Sequence, residues 1–203
     1  MVEIRNPARE RLEAGEISVG IGIRLARSAD IASMMKTAGM DWLFIDLEHG
    51  PLTLDQTAQI SCAALSAGIS TLVRVPRGEM AMATRALDGG ALGIIMPQCE
   101  SADEAREIVD RLHYAPEGSR GVVGGLPQFG FANPDMTSAM KAMNDTMLVI
   151  IMLETPNAIA QADEIAAVEG VDVVLIGTND LSAASGIPGQ VGHEKIEANY
   201  KTV

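Results

Sequence analysis

The chain reads as an α/β protein in which each strand of a parallel sheet is followed by a covering helix, and three observations predict it. Six short apolar runs rich in Val, Ile and Leu recur along the 203 residues, as strands buried on both faces require. Stretches of helical periodicity separate them, and such alternation implies right-handed parallel crossovers. Ionisable and amide side chains cluster where the runs end, the edge of a parallel sheet at which ligands bind.

Strands are predicted at 17–23, 41–46, 70–75, 92–96, 147–153 and 172–176, each a β-rich run closed by Gly, Pro or a charged residue. Helices are predicted at 29–38, 54–67, 80–88, 102–112 and 157–168, with a last one opening near His193. A Gly- and Pro-rich segment, 114–146, lengthens the fourth connection and holds a further short helix over 134–143. No linker interrupts the series, so residues 1–203 read as one domain. Four of the first five strand-to-strand steps are about 22 to 30 residues, close to what each unit of a (β/α)8 barrel of roughly 250 residues occupies. Only about six βα units are present, so a barrel is truncated at its C-terminal end, or the sheet is open.

The net charge of −12, with one Trp, two Tyr and three Phe, argues against a nucleic-acid surface of clustered cations and stacking rings. No run approaches the roughly 18 apolar residues of a membrane span, and the first sixteen residues lack a signal peptide's apolar core, so a cytoplasmic protein is expected. Cys62 and Cys99 match no metal or redox spacing and read as reduced core thiols.

The strand ends carry the chemistry. The second ends in Asp46, Glu48 and His49, the third in Arg74, the fourth in Gln98, the fifth in Glu154, and the sixth in Asn179 and Asp180. Glu154 and Asp180 end neighbouring apolar runs; like charges so placed share a proton or take a cation, and oxygen donors suit Mg²⁺ or Mn²⁺. Taken singly, each reads equally well as a helix cap. A guanidinium at Arg74 can bind a carboxylate, stabilise an enolate oxygen or pair with Asp46. His49 is the only histidine at a strand end, since His113 and His193 fall in loop and helix-start contexts. All four lysines lie in helical segments, which leaves no Schiff-base lysine at these strand ends. Ser119 has half of a nucleophile elbow, and Gly20-Ile21-Gly22-Ile23-Arg24-Leu25 lacks the third glycine of a dinucleotide fingerprint.

Through Ile45-Asp46-Leu47-Glu48-His49-Gly50-Pro51, Val73-Arg74-Val75-Pro76, Leu87-Asp88-Gly89-Gly90-Ala91, Gly118-Ser119-Arg120-Gly121, Leu153-Glu154-Thr155 and Ile176-Gly177-Thr178-Asn179-Asp180-Leu181-Ser182, the chain resembles the HpcH/HpaI aldolases, metal-dependent class II pyruvate aldolases. The resemblance runs from about Asn6 to the C-terminus. It implies a TIM-type (β/α)8 barrel in a homo-oligomer, hexameric in the family, and cleavage of a 4-hydroxy-2-oxo acid to pyruvate and an aldehyde. It also implies that Glu154 and Asp180 hold a divalent metal, Mg²⁺, Mn²⁺ or Co²⁺, with the 2-oxo acid bound at Asn179 and Asp180. Arg74 then stabilises the enolate, His49 is the acid/base, Asp88 raises its basicity and Asp46 orients it; Glu48 receives no role.

Two departures bear on the substrate. Met152 stands where the family commonly places a Gln that contacts substrate, and Gly22 where a Trp commonly follows the strand glycine. Two alternatives remain beside the aldolase: a citrate-lyase-type enzyme acting on an acyl thioester in the same fold, and a non-catalytic barrel remnant that binds a small anion.

Overall fold

The computed structural model describes residues 4–203. Strands β1 (Gly20–Ile23), β2 (Trp42–Asp46), β3 (Ser70–Arg74), β4 (Gly93–Met96), β5 (Leu148–Leu153) and β6 (Val173–Ile176) form one parallel sheet in sequence order. An order that never reverses is the winding of a barrel, since a doubly wound sheet changes direction at a switch point. The sheet curls into a half-barrel, and among the described residues β1 and β6 are its two edges.

Alternate side chains along each strand separate two apolar layers. Leu43, Ile45, Val73, Ile94, Val149 and Ile151 face outward and pack with Ala32, Ile60, Ala83, Leu87 and Ile108 of the covering helices. These helices are α2 (Asp30–Thr37), α3 (Leu54–Ala67), α4 (Met80–Asp88) and α5 (Ala102–Leu112). On the concave face Leu72, Ile95, Leu148, Ile150 and Met152 form a second cluster with Trp42, Phe44, Val173 and Leu175. Trp42 lies against Gly20, where an added Cβ would meet the indole at 2.2 Å.

All six predicted strands are present within three residues of their expected starts. The predicted short helix in the long connection is α6 (Met136–Thr146), capped by Asp135. The predicted helix at 157–168 is instead two short ones, α7 (Pro156–Ala160) and α8 (Ala162–Ala166). They part at Gln161, whose backbone leaves the helical region (φ −105°, ψ 10°) while its amide donates to the Glu100 carbonyl at 2.9 Å. Two helices were not expected: α1 (Pro7–Glu13) and α9 (Thr178–Ala184). The last, α10 (Glu194–Thr202), opens after His193 as expected. Among the described residues no helix is long and apolar enough to cross a membrane.

Helix α1 closes the edge of the sheet where the strands begin. Asn6 is 2% exposed and caps α1 through its Oδ1, which also accepts from the Ser70 hydroxyl at 2.7 Å. Its Nδ2 donates to the carbonyls of Leu92 (3.0 Å) and Thr146 (2.8 Å), the residues that lead into β4 and α6's exit. Arg9 donates to Asp172 at 2.8 Å and Arg11 to Asp41 at 2.8 Å, and those carboxylates in turn accept from the N–H groups of Val149 and Val19. One short helix thus reaches the starts of several strands, directly through Asn6 and by way of Asp41 and Asp172, which satisfy strand N–H groups. Asn6→Ala strips three buried partners at once, and a loss of about 2–4 kcal/mol is expected. Urea unfolding measures it; a midpoint unchanged from the parent would show that α1 is not part of the cooperative unit.

Candidate active site

Strand register brings the first functional pair together. Asp46 and Arg74 are direct neighbours at the ends of β2 and β3, on the concave side, and both are buried. Arg74 Nε donates to Asp46 Oδ1 at 3.0 Å and Nη2 to Oδ2 at 2.7 Å, a bidentate fork. Asp46 Oδ1 also accepts from the backbone N–H groups of Glu48 (3.1 Å) and His49 (3.0 Å). Burial opposes ionisation of Asp46, but the Arg74 fork and these two N–H donors outweigh it and hold the carboxyl below its ordinary range. The loop after β2 is therefore wound around its own strand-end carboxylate. Gly50 permits the tight return, for a Cβ there would strike the Asp46 carbonyl at 2.4 Å.

The same winding presents His49 to the cavity and sets Glu48 beside it. Glu48 Oε2 lies 3.3 Å from Arg74 Nε and 3.7 Å from His49 Nε2, so one carboxylate bridges the guanidinium and the imidazole. The His49 side chain is 53% exposed, open to a ligand on its far side. Arg74 is further held by the Phe44 ring, 5.3 Å from its guanidinium carbon, while its Nη1 faces only the Met152 sulfur at 3.9 Å.

Glu154, just beyond β5, has the opposite environment. It is 3% exposed, and Oε2 accepts the Gln98 backbone N–H at 2.8 Å. Gln98 makes that contact from a left-handed backbone (φ 54°), a conformation that costs a non-glycine residue energy and here aims an N–H at the carboxylate. Oε1 rests over Gly177, where a Cβ would intrude to 2.4 Å, so only glycine leaves this carboxylate its place. Burial pushes the Glu154 carboxyl up to about 7; the Gln98 N–H opposes the rise, and the charges of Asp180 and Glu48 add to it. Asp180 stands in the first turn of α9. Among the described residues no cluster of three or more His, Cys, Asp and Glu side chains forms a complete metal cage. Two carboxylates with room for water and substrate oxygens fit a hard divalent cation that keeps part of its own shell.

A cavity of about 320 Å³ collects the rim: Arg24, Asp46, His49, Arg74, Met152 and Glu154, with Gly177 to Asp180 along its far wall. Every site residue expected from the sequence lines this cavity except Asp88. Helix α4 runs back from the end of β3 to the start of β4, so Asp88, its last residue, stands at the opposite edge of the sheet. There its carboxylate accepts from Arg120 Nη2 at 2.7 Å, and the two lie apart from His49 within one chain. The sequence reading missed Arg24, which directly follows β1, and the part played by the Gln98 N–H and Gly177. The first was open to the same strand-end rule; the others act through backbone, which side-chain chemistry does not signal.

The HpcH/HpaI aldolase/citrate lyase family model matches residues 24–203. The 4-hydroxy-4-methyl-2-oxoglutarate aldolase tasA of Hapsidospora irregularis is 38% identical over the whole of this chain and 76% of its own length. The 2-keto-3-deoxy-L-rhamnonate aldolase of Escherichia coli O6:K15:H31 is 33% identical over 98% of this chain and 74% of its own. The crystal structure of an HpcH/HpaI aldolase from Desulfitobacterium hafniense DCB-2 superposes with a TM-score of 0.91 at 35% identity, over 96% of this chain and 75% of that one. A half-barrel whose strand ends bear this cavity, matched along nearly its full length, belongs to the HpcH/HpaI aldolase/citrate lyase family.

Proposed function

We propose that the chain is a carbon–carbon lyase that cleaves a 4-hydroxy-2-oxo acid into pyruvate and an aldehyde. The observation that carries the reading is the convergence of Arg74, His49, Glu154 and Asp180 on one small cavity. In such a cleavage the 4-hydroxyl loses its proton, the C3–C4 bond breaks, and its electron pair becomes the enolate of pyruvate. Protonation at C3 then releases the product.

His49, exposed on its cavity side and flanked by Glu48, takes the hydroxyl proton and serves as the acid/base. Arg74 is fixed by Asp46 and Glu48 before any ligand arrives, so its charge needs no reorganisation as the enolate oxygen gains charge. Glu154 and Asp180 would hold the divalent cation, Mg²⁺, Mn²⁺ or Co²⁺. Bound there, it supplies Lewis-acid polarisation of the 2-oxo group. The free N–H groups that open α9, around Asn179, suit the substrate carboxylate. A cavity of about 320 Å³ suits a small oxo acid better than an acyl-thioester carrier. For Asp88 to tune His49 it must come from a second copy, because one chain keeps the two at opposite edges of the sheet; this favours a homo-oligomer with shared sites.

Arg74→Ala and Glu154→Ala are each expected to slow exchange of the pyruvate methyl protons by about 10²- to 10³-fold. Full exchange in both, followed by NMR, would sink the mechanism, as would activity that survives chelation and is trapped by borohydride. Mixing inactive Asp88→Ala and His49→Ala proteins is expected to restore part of the activity; none regained would remove the shared site.

The Glu154 carboxyl, held at about 7 without a cation, must ionise to take one, so binding releases a proton. Mg²⁺ affinity is expected to fall by up to tenfold per pH unit below about 7 and to level off above it. In cation-free protein the raised value stabilises the fold fully below the ordinary carboxylate pKa, and that share is lost as pH rises through about 7, on the order of 3 kcal/mol. Urea unfolding in EDTA, compared with Glu154→Gln, isolates this slope; parallel pH profiles for the two proteins would refute it.

A further inference from the structure

We propose that Arg24 is a specificity residue that binds a second carboxylate, making 4-hydroxy-2-oxo dicarboxylic acids the preferred substrate class; this rests on the aldolase reading above. Both arginines of the cavity come from strand ends, but their states differ. Arg74 is committed: its Nε and Nη2 serve Asp46, and Glu48 lies 3.3 Å away. The Arg24 side chain is 63% exposed, stands 3.7 Å from Asp46 through Nε, and makes its close hydrogen bond, Nη2 at 2.7 Å, to a neutral acceptor, the His49 carbonyl. Of the two arginines lining the cavity, it is the one not held in a bidentate carboxylate fork.

The tether gives this charge a position. Arg24 is bound to the backbone of the residue whose imidazole takes the 4-hydroxyl proton. A carboxylate on the carbon that bears this hydroxyl lies one bond from the reacting centre, so a substrate held at His49 presents it to the Arg24 guanidinium. The space exists: a Cβ at Gly22, two residues earlier on β1, would meet nothing within 4 Å. Cleavage of such a substrate balances as before. The 4-hydroxyl proton passes to His49, C3–C4 breaks, one product is pyruvate, and the other is a 2-oxo acid, because C4 keeps its carboxylate and becomes the carbonyl carbon. Arg24 bears no part in proton transfer. It selects the acceptor half.

The test compares wild type, Arg24→Gln and Arg24→Lys, each with Mg²⁺, on 4-hydroxy-4-methyl-2-oxoglutarate and on the monocarboxylate 4-hydroxy-2-oxopentanoate. Arg24→Gln is expected to lose about 10- to 100-fold in kcat/KM on the dicarboxylate and less than about threefold on the monocarboxylate, with Arg24→Lys in between. Equal losses on both substrates would make Arg24 a brace for the His49 loop and overturn the proposal, as would no loss on the dicarboxylate. Calorimetric binding of 2-oxoglutarate against 2-oxopentanoate, neither of which can be cleaved, supplies the independent arm. Wild type is expected to prefer the dicarboxylate at least tenfold and Arg24→Gln to lose that preference. Equal binding by wild type, or a preference kept by Arg24→Gln, overturns it. Wild type that binds selectively but cleaves neither hydroxy acid would fail the aldolase reading and leave the Arg24 assignment supported.

Discussion

The buried pair of Asp46 and Arg74 is the interaction on which the rest of the cavity depends. Parallel register alone sets the two side by side, and curling of the sheet turns both onto the concave face. Removing two charges from water is expensive, and only good geometry with further hydrogen bonds offsets it. Here the fork supplies two bonds, and the backbone N–H groups of Glu48 and His49 supply two more to the same carboxylate. The electrostatic need of the pair therefore dictates the path of the next three residues. His49 faces the cavity, with Glu48 between it and Arg74, because the N–H groups of both turn back to Asp46.

Glu154 shows the same physics with the opposite result. Both carboxylates are buried in one cavity, yet Asp46 is held ionised and Glu154 is pushed towards protonation. The difference lies in their partners. Asp46 receives a guanidinium and two N–H groups, whereas Glu154 receives one N–H and the neighbouring charges of Asp180 and Glu48. A carboxylate so placed is unfavourable unless a cation joins it. Its surroundings still specify its position closely, through the unusual backbone of Gln98 and the missing side chain of Gly177. An arrangement that spends backbone strain to fix so weakly compensated a carboxyl suits a binding site better than a core.

Strands were the most legible part of the sequence, because two-sided burial writes a continuous apolar run that ends where burial ends. The cavity lining was legible for the same reason: a polar residue directly after such a run has its direction set by the strand. Asp88 was out of reach of this logic. It sits at a helix end on the far edge of the sheet, and a role at His49 needs a second chain that one sequence does not display. Helix α1 was missed because seven residues of mixed charge carry little apolar signal. Its order comes from Asn6 and Arg9 reaching groups up to 163 residues away. Arg24 illustrates a different gap. The strand-end rule covered it, but the sequence reading placed Arg24 only in an incomplete dinucleotide fingerprint, and that β1 is an edge strand with exposed side chains is visible only in the structure.

Met152 sharpens how Arg74 can act. A Gln amide at this position would offer its carbonyl oxygen to the guanidinium, and Arg74 would then be satisfied on every edge. The thioether is a weak acceptor, and at 3.9 Å from Nη1 it leaves that donor only loosely engaged. Packing holds the guanidinium in place while one N–H edge stays available in the direction of the cavity. A donor fixed on one side and unsatisfied on the other gains most when negative charge appears near it, which favours the transition state over the resting enzyme. Under the proposed mechanism, a sulfur in place of an amide therefore removes a contact without removing the electrostatic role proposed for Arg74, and it leaves substrate recognition to other polar groups of the rim, the role proposed for Arg24.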